Sequence, residues 1–275
     1  MNLTPFEEDK ADTAPTGTLL LVGQLIRNRD GADLQAMEQS ILMTKILTSF
    51  IKLIDTQVPV IEIITSPGLR DPVHYFWTIK RQLEKIRSCS VNHIHLFQYQ
   101  EKCMADLKVR ISKANGVLFA DGDQSKIVST YKGSELLNLI RHRYINDRLT
   151  VAGFNSGAMS LSRTMLYYIQ VKNGRDKQSV RVSTGLNLLG NICIDTDVES
   201  SERFERMATI LADNKSFIAV SIQRNTALII KKGSQLSALG KRAVIVLRPD
   251  KKSSHLSVTM LFDGETLTIP LNKYP

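Results

Sequence analysis

Val151-Ala152-Gly153-Phe154-Asn155-Ser156-Gly157-Ala158-Met159-Ser160 is the stretch whose reading decides the fold. Small and apolar residues end a strand, a Gly153-x-x-x-Gly157 frame makes a sharp turn, and a helix is predicted to follow. That order is the frame of a nucleophile elbow, in which the centre of Gly-x-Ser-x-Gly is presented at the top of a sheet. Here the centre is Asn155. A carboxamide is not a serine-type nucleophile, so the frame points to an architecture and leaves its chemistry in question.

Working outward, strands and helices alternate. Thr18–Val22 is a continuous apolar run ending at Gly23, as buried parallel strands are. Apolar residues at helical spacing from Leu34 to Ile51 predict a helix over 34–54. Val58–Thr65 is a second buried strand, closed by Ser66-Pro67-Gly68. Helices are expected over 72–87, 101–113 and 126–146, with strands at Ile94–Phe97, Gly116–Ala120 and Leu149–Ala152. A helix over 157–170 follows the elbow. This βα alternation predicts a three-layer α/β/α sandwich with a mainly parallel sheet. In such folds the loops at the carboxyl ends of the strands build the site. Gly23-Gln24, Asp121–Gln124 and Gly153–Gly157 fall there. The last third changes character: residues 200–213 read as helix, then Phe217–Val220, Thr226–Lys231, Ala243–Leu247, Leu256–Phe262 and Thr266–Ile269 as strands and hairpins. Residues 1–17 read as a flexible tail and 18–275 as one domain.

Composition sets the class. The 275 residues are 43% hydrophobic and 23% charged, ordinary for a globular protein. No apolar run approaches the ~20 residues a bilayer requires, and Met1–Gly17 lacks the pattern of a secretory signal. Cys89, Cys103 and Cys193 lie in no metal or redox spacing and fit reduced cytoplasmic thiols. The net charge is +9, but its basic pairs are scattered and do not interleave with aromatics. That pattern suits a solvated surface better than a nucleic-acid groove.

Several motifs together resemble the cyanophycinase-like branch of the S51 serine peptidases. The chain shows, in order, Gly23-Gln24, Asp121-Gly122-Asp123-Gln124, Gly153-Phe154-Asn155-Ser156-Gly157-Ala158 and Gly185-Leu186-Asn187-Leu188-Leu189. Ile194-Asp195-Thr196-Asp197, Arg203 with Arg206, and Gln223-Arg224-Asn225-Thr226-Ala227-Leu228 complete the set. The resemblance implies a flavodoxin-like, class-I glutamine amidotransferase-like sandwich, a homodimer, and cleavage of β-aspartyl-arginine polymer. It also places the family's nucleophilic serine on Asn155 and its catalytic histidine on Asp197. The acidic positions before the family's Thr-Ala become Gln223, Arg224 and Asn225. Gln124, Asp195, Arg203 and Arg206 remain.

A serine–histidine pair works because imidazole takes the hydroxyl proton near neutral pH. Replacing both partners removes nucleophile and base together. Asn155 then reads as a turn residue, since Asn tolerates positive φ. Ser156 is the alternative nucleophile, but no base is evident among His74, His93, His95, His142 and His255, each of which reads as a surface or packing histidine. Asp197 as a base would have no hydroxyl at Asn155 to act on. Asp121, Asp123, Asp195, Asp197 and Glu199 carry the carboxylates a hard cation would want but match no known ligand spacing, so neither a metal nor a cofactor is expected. Gln124 and Asp123 are pocket candidates. Arg203 and Arg206, three apart on a helix face, suit either a carboxylate clamp or pairing with Asp195. Trp77, with Tyr75 and Phe76, reads as helix packing. The expected function is a catalytically impaired protein keeping a peptide or amino-acid pocket; the alternative is an active hydrolase using Ser156.

Overall fold

The computed structural model describes residues 14–25, 33–66, 68–96, 101–171, 177–196, 204–205, 207–208, 211, 217–250 and 255–270. Asp197, Glu199, Arg203 and Arg206 lie outside them. So do residues 1–13 of the segment read as a tail. Its last residues are tied down: the Thr16 and Gly17 amides donate to the Ile145 and Tyr144 carbonyls.

The strands with continuous apolar runs form the centre of the molecule. These are β1 (Thr18–Val22), β2 (Val60–Thr65), β4 (Gly116–Phe119) and β5 (Thr150–Phe154), with β3 (Ser90–His95) outside β2. They pair in parallel in the order β1-β5-β4-β2-β3. Three antiparallel strands, β10 (Thr226–Lys231), β11 (Gln235–Gly240) and β14 (Thr266–Thr268), extend the sheet beyond β1. The result is an eight-stranded, mainly parallel sheet in the order β14-β11-β10-β1-β5-β4-β2-β3.

Alternation along the strands splits the core into two layers. Leu20, Val22, Leu118 and Ala152 face α1 (Asp33–Leu53) and α2 (Pro72–Ile86). Leu19, Leu21, Val117 and Val151 face the opposite layer, α3 (Glu101–Lys113), α4 (Gln124–Tyr131) and α5 (Glu135–Asn146). Both faces are therefore covered, which is why these strands lack a polar side. Local signals set the helix starts. Pro72 opens α2 behind the Asp71 cap, whose carboxylate accepts from the His74 amide at 2.9 Å.

Four expectations differ from the structure. The helix expected over 126–146 is two helices, because Ser134 caps a new start by accepting from the Leu137 amide. The strand expected at Ile94–Phe97 begins earlier, at Ser90, and Phe97 lies outside the described residues. The helix expected over 157–170 is only α6 (Ser156–Ser160). Beyond it the chain becomes β6 (Thr164–Val171), a hairpin with β7 (Lys177–Thr184). Tertiary contacts override the helical spacing here. The Leu161 carbonyl accepts from the Leu188 and Leu189 amides, and Ser162 bridges to Leu189, pulling the chain out of the helix. Finally, the last third divides between two sheets: β10, β11 and β14 extend the main one, and the remaining strands join a second. β8 (Ile192–Asp195), β9 (Ile218–Ile222), β12 (Val244–Pro249) and β13 (Leu256–Leu261) align in the order β13-β12-β9-β8. Within 200–213, the described residues Phe204, Glu205, Met207, Ala208 and Leu211 are helical. Among the described residues no helix is long and apolar enough to cross a membrane.

Candidate functional site

The three loops expected to build a site do meet. β1, β5 and β4 are neighbours, so Gly23-Gln24, Asn155 and Asp121 leave adjacent strand ends. The Asn155 amide donates to the Val22 carbonyl at 2.8 Å, fixing the elbow to the end of β1. On the other side of β1, the Asn225 amide donates to the Gln24 carbonyl at 3.0 Å, bringing the Gln223–Asn225 segment to the same end.

The elbow backbone is the one the Gly frame predicts. Asn155 sits at φ 45° and ψ −109°, a strained conformation for a residue with a Cβ. The glycines on either side allow the strand and helix to close on each other. A Cβ on Gly153 would stand 2.7 Å from the Ala158 backbone, and one on Gly157 would stand 2.5 Å from the Phe119 carbonyl oxygen.

The side chain at the tip is bound on both ends. Asn155 Nδ2 donates to Asp121 Oδ1 and Oδ2 at 3.1 and 3.2 Å. Its Oδ1 accepts from the Thr196 hydroxyl at 2.6 Å. Asp121 Oδ1 also accepts from the Ser156 amide at 3.2 Å and the Gly122 amide at 2.7 Å. In an elbow the amide after the tip is the donor that steadies a developing oxyanion. Here a carboxylate of the chain itself receives that donor. Four donor contacts to one half-buried carboxylate make a charge-assisted network.

Asp121 and Thr196 are the residues that sequence reasoning missed as partners of the tip. The signal for Asp121 was its place at the carboxyl end of β4, in one of the three loops expected to build the site. Asp123 is engaged as the N-cap of α4, accepting from the Ser125 and Lys126 amides at 2.8 and 3.1 Å. Gln124 donates through Nε2 to the Leu166 carbonyl at 3.0 Å, while its Oε1 is buried without a hydrogen-bond partner among the described residues. Asp195 ends β8 and is buried at 1% exposure. Ser156 is half-buried beside the network. Among the described residues no group of three or more His, Cys, Asp or Glu is placed to hold a metal ion.

Two histidines read separately in the sequence are joined in space. His93 Nε2 and His95 Nδ1 lie 2.7 and 2.8 Å from the buried Thr65 hydroxyl at the end of β2. The hydroxyl proton can go to only one ring, so the other ring must donate to the oxygen. His93 also stacks on Phe76 at 4.7 Å. Phe76 and Tyr75 pack in the core as expected, whereas Trp77 is 46% exposed. Burial first, then His95 and Arg110, push the His93 pKa below its ordinary value. The unfolded chain therefore binds the proton more readily. His93's contribution is present above about pH 6.5 and is lost as pH falls below it toward the folded value. His93→Gln is expected to flatten the acid side of a plot of urea midpoint against pH; an unchanged slope between pH 7 and 5 would contradict this.

The fold and the elbow define an α/β protein of the class-I glutamine amidotransferase-like type. A sequence model described as "Peptidase family S51" matches residues 36–237. The chain belongs to that family. It is 23% identical to the cyanophycinase of Nostoc sp. over 171 residues, 62% of this chain and 57% of the relative. To the cyanophycinase of Trichormus variabilis it is 22% identical over 171 residues, with the same coverage of 62% and 57%. It thus spans little more than half the length of these curated relatives. The crystal structure of a peptidase from an acI-B1 Actinobacterium superposes with a TM-score of 0.59 at 17% identity, covering 94% of this chain and 98% of that one.

Proposed function

We propose that this chain is a cyanophycinase-like protein that keeps the family pocket for a peptide or amino acid and has lost its hydrolytic chemistry. One observation carries the reading: the elbow tip is an asparagine whose amide is held between Asp121 and Thr196. Acyl transfer at an elbow needs a nucleophile, a base and free oxyanion donors. The tip supplies no nucleophile, and the Ser156 amide is already engaged by Asp121. The resemblance puts the family's histidine position at Asp197, which would offer a carboxylate in place of imidazole. Arg203 and Arg206 are proposed as ligand contacts, together with Gln124, whose Oε1 suits a ligand N–H donor. The family resemblance supports a homodimer, and the free Cys89 and Cys193 suit a reducing cytoplasm.

Calorimetric titration with β-aspartyl dipeptides tests the pocket. Wild-type protein is expected to bind, and Gln124→Ala to weaken binding about tenfold, the loss of one buried hydrogen bond. No heat with any dipeptide, from protein shown to be folded, would sink the pocket reading. The competing reading, an active hydrolase using Ser156, requires turnover that Ser156→Ala abolishes.

A further inference from the structure

A cavity of about 260 Å³ lies on the face of the second sheet turned away from the main core. Its walls are Leu166, Cys193, Met207, Leu211, Phe217 and Ala219. Leu166, Cys193, Met207, Leu211 and Ala219 are each at most 4% exposed, so its floor is made of buried side chains, while its mouth is partly open to solvent. Thr164 adds a hydroxyl, and Val182, 52% exposed, forms the rim. Protein interiors are close-packed, and voids among buried side chains are few and destabilising. Apolar cavities of about 150 Å³ stay dry and take up benzene-sized molecules. The Cys193 thiol does not make this one polar. Burial and the charge of Asp195 push its pKa up to about 12, so it stays a neutral thiol.

We infer that this cavity is a binding site for one uncharged aliphatic or aromatic group. It adjoins the strand-end loops at two points, Gln124 and Thr196. Leu166 carries the carbonyl that Gln124 holds. Cys193 is three residues before Thr196, about 10 Å along the strand at ~3.3 Å per residue, and Thr196 bonds the elbow amide. The group can belong to a free small molecule or to a side chain of a peptide seated at the elbow. Only the second source rests on the function proposed above.

Methyl and amide NMR on the full chain tests it, with toluene, β-aspartyl-leucine and β-aspartyl-arginine as probes. Toluene is expected to move the Met207 methyl and the Leu166, Cys193 and Ala219 amides. Ala219→Phe fills the cavity, and Val182→Trp covers its rim from a position exposed enough to leave folding intact. Each is expected to weaken the response at least tenfold. Shifts from β-aspartyl-leucine but not β-aspartyl-arginine at the same signals assign the group to the peptide. Shifts from toluene alone assign it to a free molecule. The inference is overturned if toluene moves none of these signals, or if Val182→Trp leaves the shifts unchanged. Cleavage of a dipeptide would overturn the proposed function and leave the cavity site standing.

Discussion

Gly157→Ala is expected to destabilise the protein by about 3 kcal/mol or more, the upper end for overpacking a tight site. The added methyl would stand 2.5 Å from the Phe119 carbonyl oxygen and 2.6 Å from that of Ala120. Both are backbone atoms of the central sheet or its exit, and neither can rotate away. Relief would need α6 to lift from β4, which also pulls Ser156 and Asn155 from Asp121. Urea denaturation checks the cost, and a change below about 1 kcal/mol would show that the elbow is looser than its geometry.

Arg110→Ala is the second large effect. Glu62 points from β2 into the protein with no exposed surface. Arg110 of α3 donates to it through Nε and Nη2, and Asn92 adds a bond at 3.1 Å. Breaking a buried ion pair costs about 3–5 kcal/mol because the remaining charge stays desolvated. The Arg110 side chain is 34% exposed, so the lower end, about 3 kcal/mol, is expected. Adding Glu62→Gln should recover part of the loss, since no bare charge then remains. Equal stability of the single and double variants would show that the cost lies in lost packing of the arginine stem.

The parallel core was legible because strands covered on both faces carry no polar alternation. Leu19, Leu20 and Leu21 read as buried whichever face they take. The elbow backbone was legible for a similar reason: Gly153 and Gly157 stand where any side chain would strike backbone. Elements whose form depends on distant partners were not legible. The spacing of Met165, Leu166 and Ile169 suits a helix, and only the docking of Leu161 and Ser162 on the Leu188-Leu189 run turns that stretch into a strand. The tip network was missed for the same reason. Asp121 and Asn155 are 34 positions apart and Thr196 a further 41, so no local pattern could pair them. Likewise Thr65 joins His93 and His95 only because β2 and β3 pair in register at Thr65 and His95.

The elbow is proposed to hold a ligand pocket and to do no hydrolysis. The decisive measurement is arginine released when the purified protein, and beside it Ser156→Ala, is incubated with β-aspartyl-arginine and its polymer. No release above a protein-free control is expected from either. Release by the wild-type chain that Ser156→Ala abolishes would contradict it.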